Sequence, residues 1–180
     1  MKIKLFIVIC ILFSISNAAT ADHKSAHSAT GYFSMGVSNI QIDINDIGAS
    51  LDHNMIEIKM GRNLNSNFAF EARVAQAVDD AQFLSTANIG IDTYVGLYLV
   101  GTIPLSKTVS LYGFAGATYM KSSVNVGSVS ASGSDNDSSF GAGLKININP
   151  SIFVSAEYAD LYRKDNLDIR GTSLSFGLTF

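Results

Sequence analysis

The chain has 180 residues and a formal net charge of −3; only 15% of its residues are charged, while 47% are hydrophobic. Ordinary soluble domains carry roughly 25% charged residues, and the balance here holds no basic patch of the kind nucleic-acid binding needs. Two prolines and fifteen glycines also exclude a collagen-like or wholly disordered chain.

The first element is a leader. Lys2 and Lys4 precede an apolar run from Leu5 to Ile15, and small polar residues follow. This is the layout of a secretory signal peptide, with an apolar run too short for a permanent membrane helix. Cleavage is expected after Ala18 or Ala21, the second being preferred, so residues 1–21 are read as the leader. Cys10 lies inside the apolar run without the small residues that precede a lipid-modified cysteine. The exported chain therefore lacks cysteine and takes no stability from disulfides. Residues 22–29 read as a short flexible periplasmic tail. His23 and His27 lie four apart within it, but two imidazoles make a weak metal site, since zinc normally takes at least three protein ligands. No metal and no cofactor is expected.

From residue 30 onward the hydrophobic period is two, the signature of strands. Phe33, Met35 and Val37 share one face of the first segment. Ile56, Ile58 and Met60 alternate with Glu57, Lys59 and Gly61; Phe68, Phe70, Ala72 and Val74 alternate with Ala69, Glu71, Arg73 and Ala75. In the next segment Ile91, Val95, Leu97, Leu99 and Ile103 oppose Asp92, Tyr94, Gly96, Tyr98 and Thr102. Around 110–119 the pattern is weaker; Tyr112 and Phe114 are assigned to the apolar face, with Gly113, Ala115 and Ala117 opposite. Phe140, Leu144, Ile146 and Ile148, then Ile152, Val154 and Tyr158, continue the series. It ends with Leu174, Phe176, Leu178 and Phe180. These are eight strands.

Short turns at 63–67, 104–108 and 149–151 alternate with longer polar loops expected at about 41–54, 76–89, 120–138 and 160–171, the third Ser- and Gly-rich and expected to be mobile. Eight antiparallel strands with short turns at one rim and long loops at the other predict an all-β, up-and-down transmembrane barrel over residues 30–180. The face opposite the large apolar residues is mostly Gly, Ala and Ser with a few charges. That suits the crowded interior of a narrow barrel better than the water-facing surface of a soluble one. The apolar face then meets lipid, and closure supplies the backbone partners that hydrocarbon cannot.

With "YGFAGATY", "FGAGLKI" and "FVSAEYADL", the chain resembles the small eight-stranded outer-membrane barrels of the porin family, typified by the OmpA membrane domain, OmpX and the opacity proteins. The resemblance covers residues 30–180 and implies the outer membrane of a Gram-negative bacterium. It also implies that Leu174, Phe176, Leu178 and Phe180 form a C-terminal signal read by the outer-membrane assembly machinery. Because the sequence stops with the barrel, an anchoring role of the OmpA type is not expected.

Seven charged residues are expected to point into the lumen: Glu57, Lys59, Glu71, Arg73, Asp92, Lys145 and Glu157. A turn centred on "NLNSN" sets Lys59 against Glu71 and Glu57 against Arg73, pairs of opposite sign across an antiparallel ladder. Paired charges make a polar plug, because buried charges must be compensated, and an eight-stranded barrel has no room for a diffusion channel. The expected role is structural or surface-interacting, adhesin- or opacity-like. The alternatives are a small pore gated by exchange of the lumen partners, and a lipid A-modifying enzyme. The enzymatic reading would draw on His53, Asp79, Asp80 and Ser85 in the first two outer loops; no motif unites them, and no catalytic residue is assigned. Partners are membrane lipid and lipopolysaccharide, the assembly machinery, and a host or surface ligand at the loops. Acidic loop residues Asp43, Asp46, Asp52, Asp79, Asp80, Asp135 and Asp137 would repel anionic surfaces or recruit divalent cations. Deleting Phe180 is expected to slow assembly into the outer membrane, read as the rate at which the folded form accumulates; a wild-type rate would remove the terminal signal.

Overall fold

A computed structural model describes residues 30–180 except 45, 47, 79–81, 85–86, 127–128 and 165–166. The leader, the tail with His23 and His27, and Asp79, Asp80 and Ser85 lie outside the described residues. Nine strand segments follow one another: β1 Gly31–Ile44, β2 Ala49–Asn63, β3 Phe68–Ala77, β4 Gln82–Leu84, β5 Ala87–Pro104, β6 Val109–Val126, β7 Val129–Asn149, β8 Ile152–Lys164 and β9 Leu167–Thr179. β3 and the three-residue β4 both pair with β5, so they form one interrupted stave and the barrel has eight. Each neighbour pair is antiparallel. The ring closes where β1 pairs with β9, from Tyr32 opposite Thr179 to Ile44 opposite Leu167.

The tight turns match the expectation and are held by side chains that imitate backbone. Asn65 Oδ1 accepts from the amides of Asn67 and Phe68, both at 2.9 Å. Ser106 Oγ accepts from Val109 N at 2.9 Å, and Asn149 Oδ1 from Ser151 N at 2.9 Å. These are the local bonds for which Asn and Ser favour turns. The short turns and both ends of the barrel lie at one rim, the periplasmic one.

The other rim departs from the expectation. Most of 41–54, 120–138 and 160–171 is strand, not loop. The β1–β2 ladder runs to Ile44 opposite Ala49, β6–β7 to Val126 opposite Val129, and β8–β9 to Lys164 opposite Leu167. The cause is a change of solvent along a strand of constant parity. In the lower part of the barrel Met35, Val37, Ile56, Leu97 and Leu174 are exposed on the outer face, while Ser34, Glu57 and Lys59 are buried inside. Higher up, the outer positions become Asn39, Gln41, Asn54, Asp52 and Thr172. The inner ones become Ile40, Ile42, Leu51, Met55, Leu161 and Ile169, all buried. The lower barrel is polar inside and apolar outside, as lipid requires; the upper barrel is the reverse, as water requires.

Two face assignments are corrected. Tyr112 and Phe114 point inward, 7% and 4% exposed, while Gly113, Ala115 and Ala117 face outward. The phenol of Tyr112 finds a carboxylate only inside, and Phe114 stacks on a buried cation. In β5 the register shifts between Ile91 and Thr93, a bulge that turns Ile91 inward and leaves Asp92 exposed, accepting from Ser123 Oγ at 2.7 Å. Bulges re-aim side chains in this way.

Leu97 is 65% exposed at mid-strand. Leu97→Arg should cost about 2–4 kcal/mol at the bilayer midplane, measured by urea unfolding in lipid vesicles; a neutral result would mean that this face does not meet lipid.

Candidate functional site in the lumen and at the outer rim

Five of the seven expected lumen charges meet in one layer. β2 contributes Glu57 and Lys59, β3 Glu71 and Arg73, and β8 Glu157, all at or below 8% exposure. Lys59 Nζ lies 2.5 Å from Glu157 Oε2 and 3.2 Å from Glu57 Oε2. Arg73 Nε donates to Glu71 Oε1 at 2.5 Å, and its Nη1 donates to Glu157 Oε2 at 2.9 Å. Four tyrosines surround the cluster. Tyr112 donates to Glu157 Oε1 at 2.6 Å, Tyr32 to Glu71 Oε2 at 2.5 Å, and Tyr94 to Glu57 Oε1. Tyr98 shares a hydrogen bond with Thr118, which shares another with Ser139 at 2.6 Å. Arg73 also lies 3.8 Å from the centre of the Phe114 ring and 4.6 Å from that of Tyr98, so the delocalised cation is held on both edge and face. Gly61 makes room for Tyr32: a Cβ there would lie 2.1 Å from the Tyr32 ring.

The partners differ from those expected. Lys59 stands opposite Arg73, Glu71 opposite Gly61 and Glu57 opposite Ala75. The ladder is offset by two residues because the turn closes with Leu64 N donating to Phe68 O at 2.8 Å. An offset of two preserves the faces, so the residues were correctly placed inside while their pairings were not. Lys59 and Arg73, like charges side by side, are tolerated because three carboxylates interleave with them. Asp92 is outside the lumen, for the reason given above. Lys145 is half-buried lower down, its Nζ 5.5 Å from the Phe153 ring centre, and among the described residues it makes no ion pair within 4.0 Å.

Above the charges lies an apolar layer that the sequence reading missed: Ile40, Ile42, Leu51, Met55, Ile91, Met120, Leu161 and Ile169. His53 belongs to this layer. It was expected on a solvated loop; it is 1% exposed on β2, with its ring filling the space a side chain at Gly90 would need.

At the outer rim, charges cross between hairpins. Lys164 Nζ lies 3.5 Å from Asp135 Oδ2 and donates to the Asn136 carbonyl at 2.6 Å. Tyr162 donates to Asp135 Oδ2 at 2.7 Å, and the Arg163 amide to Asp137 Oδ2 at 3.0 Å. Arg170 lies between Asp43 at 3.6 Å and Asp168 at 3.5 Å. The hydrogen bond from Tyr162 holds the Asp135 carboxyl below its ordinary pKa, and those from Gln41 and Ser50 do the same for Asp43. Carboxyls depressed in the folded state favour folding above their unfolded pKa, and that contribution fades as pH falls through the folded value. Asp43 and Asp135 thus stay charged at neutral pH.

The model of the outer membrane protein beta-barrel domain matches residues 6–180. The chain belongs to this family of outer-membrane β-barrels. No match is found among curated proteins. Among solved structures, Ail, the attachment invasion locus protein of Yersinia pestis, superposes with TM-score 0.66 at 20% identity, over 85% of this chain and 99% of that one. Neisserial surface protein A follows with TM-score 0.60 at 16% identity, over 84% and 96%. The N-terminal barrel domain of Pseudomonas aeruginosa OprF has TM-score 0.57 at 13% identity, over 83% and 99%. At these identities the likeness is one of fold.

The lumen geometry yields a double-mutant test. Lys59→Met should destabilise the barrel by about 3–5 kcal/mol, the cost of leaving buried carboxylates short of a cation. Combined with Glu157→Gln it should show a coupling of about 1–3 kcal/mol, whereas with Glu71→Gln it should be nearly additive. Urea unfolding in vesicles reads all of these, and strong coupling to Glu71 would restore the pairing expected from sequence.

Proposed function

We propose that this barrel is a closed outer-membrane scaffold that acts at the cell surface through its outer hairpins, as a contact or adhesive protein. The observation that carries the reading is the one-sided pairing of β7. Its ladder with β8 stops at Phe140 opposite Asp160, yet β7 begins at Val129 and pairs with β6 from there down to Ile146. Residues 129–139 therefore present a strand edge, and Ala131–Asn136 are exposed. Among the described residues this edge is bridged to β8 at its base, by the side chains of Tyr162 and Lys164 and the Arg163 amide. An unpaired edge is a template for an added strand. Such an addition needs no particular side chains from the scaffold, only its free backbone groups.

Ail has been solved in complex with the heparin analogue sucrose octasulfate, which supports a ligand-presenting role for barrels of this shape. Here Arg163, Lys164 and Arg170 are already engaged with aspartates, so the strand edge is the better candidate surface than a sulfate site. Membrane lipid and lipopolysaccharide would contact the apolar belt, and the assembly machinery would read the outward-facing Phe176, Leu178 and Phe180. The buried position of His53 weighs against the lipid A-modifying alternative. A gated pore would require both the charge layer and the apolar layer above it to open.

In planar bilayers, refolded residues 22–180 should insert without steady conductance; regular open steps would favour the pore. Displayed on a non-adherent Gram-negative host, the chain should raise attachment to an epithelial monolayer. Single prolines at those positions of 130–134 whose N–H points away from β6 should lower that attachment severalfold while leaving the melting temperature unchanged. Attachment indifferent to every proline would overturn the edge as the contact surface.

A further inference from the structure

The opposite rim of the barrel opens into a cavity of about 630 Å³ among the periplasmic turns, within the range of small-molecule sites. Its walls contain two lysines, Lys107 and Lys145, and no aspartate or glutamate. The remaining polar wall is amide and hydroxyl. Several of these groups are spent on the turns: Asn65 and Asn149 accept the backbone bonds described above, and Thr179 donates to the Pro150 carbonyl at 2.8 Å. Four polar groups are not so engaged. Among the described residues the side chains of Thr102, Lys107, Lys145 and Asn147 make no hydrogen bond or ion pair with the protein. Lys145 sits deepest, where the mouth narrows toward the lumen, and it also borders the small void beneath Glu71 and Glu157.

The charge balance explains why Lys145 stands apart. The lumen layer holds three carboxylates and two cations, and Lys145 offsets the excess without touching it. Lys107 adds a second positive charge at the mouth. Walls of low dielectric concentrate such a field at the opening.

We infer that this mouth binds an acidic saccharide: a ring bearing hydroxyl and acetamido groups, with a free carboxylate. Asn147 and Thr102 both donate and accept, as sugar hydroxyls and acetamides do. The two ammonium groups suit a carboxylate reached from different directions. A purely apolar ligand would leave the lysines and the amide unpaired, which disfavours it. The site faces the periplasm, on the side away from the proposed contact edge, and does not depend on that edge.

The test uses refolded residues 22–180 in nanodiscs, titrated calorimetrically with muramyl dipeptide, which carries an N-acetylated sugar and one carboxylate. Saturable binding should weaken at least ~10-fold in Lys107→Gln/Lys145→Gln, consistent with loss of charge-assisted bonds. Asn147→Asp should weaken it similarly by repulsion, and its half-exposed position spares the fold; melting temperatures check both variants. No saturable binding, or equal affinity in the variants, overturns the inference. Equal affinity for the neutral disaccharide of N-acetylglucosamine removes the acidic requirement and overturns it too. Displacement by sulfate at matched ionic strength would reveal a simple anion hole and would overturn the saccharide assignment.

Discussion

Everything in this barrel follows from the absence of hydrogen-bond partners in hydrocarbon. A strand that crosses lipid must find a neighbour on both sides, so β1 must meet β9 and the sheet must close. Closure at eight staves fixes a bore too narrow for water-filled space. The inward side chains must fill that bore themselves, and because β2, β3 and β8 turn charges inward, those charges must neutralise one another at short range. The five-residue cluster with its tyrosines is the result: every carboxylate meets a cation or a phenol, and Arg73 meets carboxylates at its edge and rings at its faces. The likeness of fold reflects the same constraint, since barrels of this kind superpose on this one at sequence identities of only 13–20%.

The strands inside the membrane were legible because a period of two survives there with large residues on one side. Leu97, Leu99, Ile146, Leu174 and Phe176 announce the lipid face without help from tertiary structure. Above the bilayer the same strands keep their parity but exchange solvents. "NIQIDI" alternates as cleanly as "YFSMGV", yet its apolar set, Ile40, Ile42 and Ile44, falls on the other face. Read with one rule for both halves, the upper residues lose phase and pass for loop. Tyr112 and Phe114 misled for a related reason: their place is set by Glu157 and Arg73, which are distant in sequence.

The candidate site was legible in composition and not in connectivity. Parity alone places Glu57, Lys59, Glu71, Arg73 and Glu157 inside. Which of them touch depends on where a four-residue turn closes, and a shift of two residues changes every partner while moving no side chain to the other face. Asp92 fell out because one bulged residue reverses parity locally, and nothing short of the hydrogen-bond ladder marks that position. His53 reads as solvated on a loop and proves to be core only once the loop is seen to be strand.

The exchange of solvents along constant-parity strands works as a waterline drawn on the molecule. Sinking the barrel by one inter-residue step would drag Asn39, Asn54 and Thr172 into hydrocarbon, and raising it would put Val37, Ile56 and Leu174 into water. Depth of insertion is thereby set from within the chain. The height of the outer hairpins is set with it: from Ser138 at that line to Val129 is nine residues of β7, a reach of up to about 30 Å along the strand. A partner would meet the edge of β7 well clear of the lipid head groups, at a standoff fixed by the sequence.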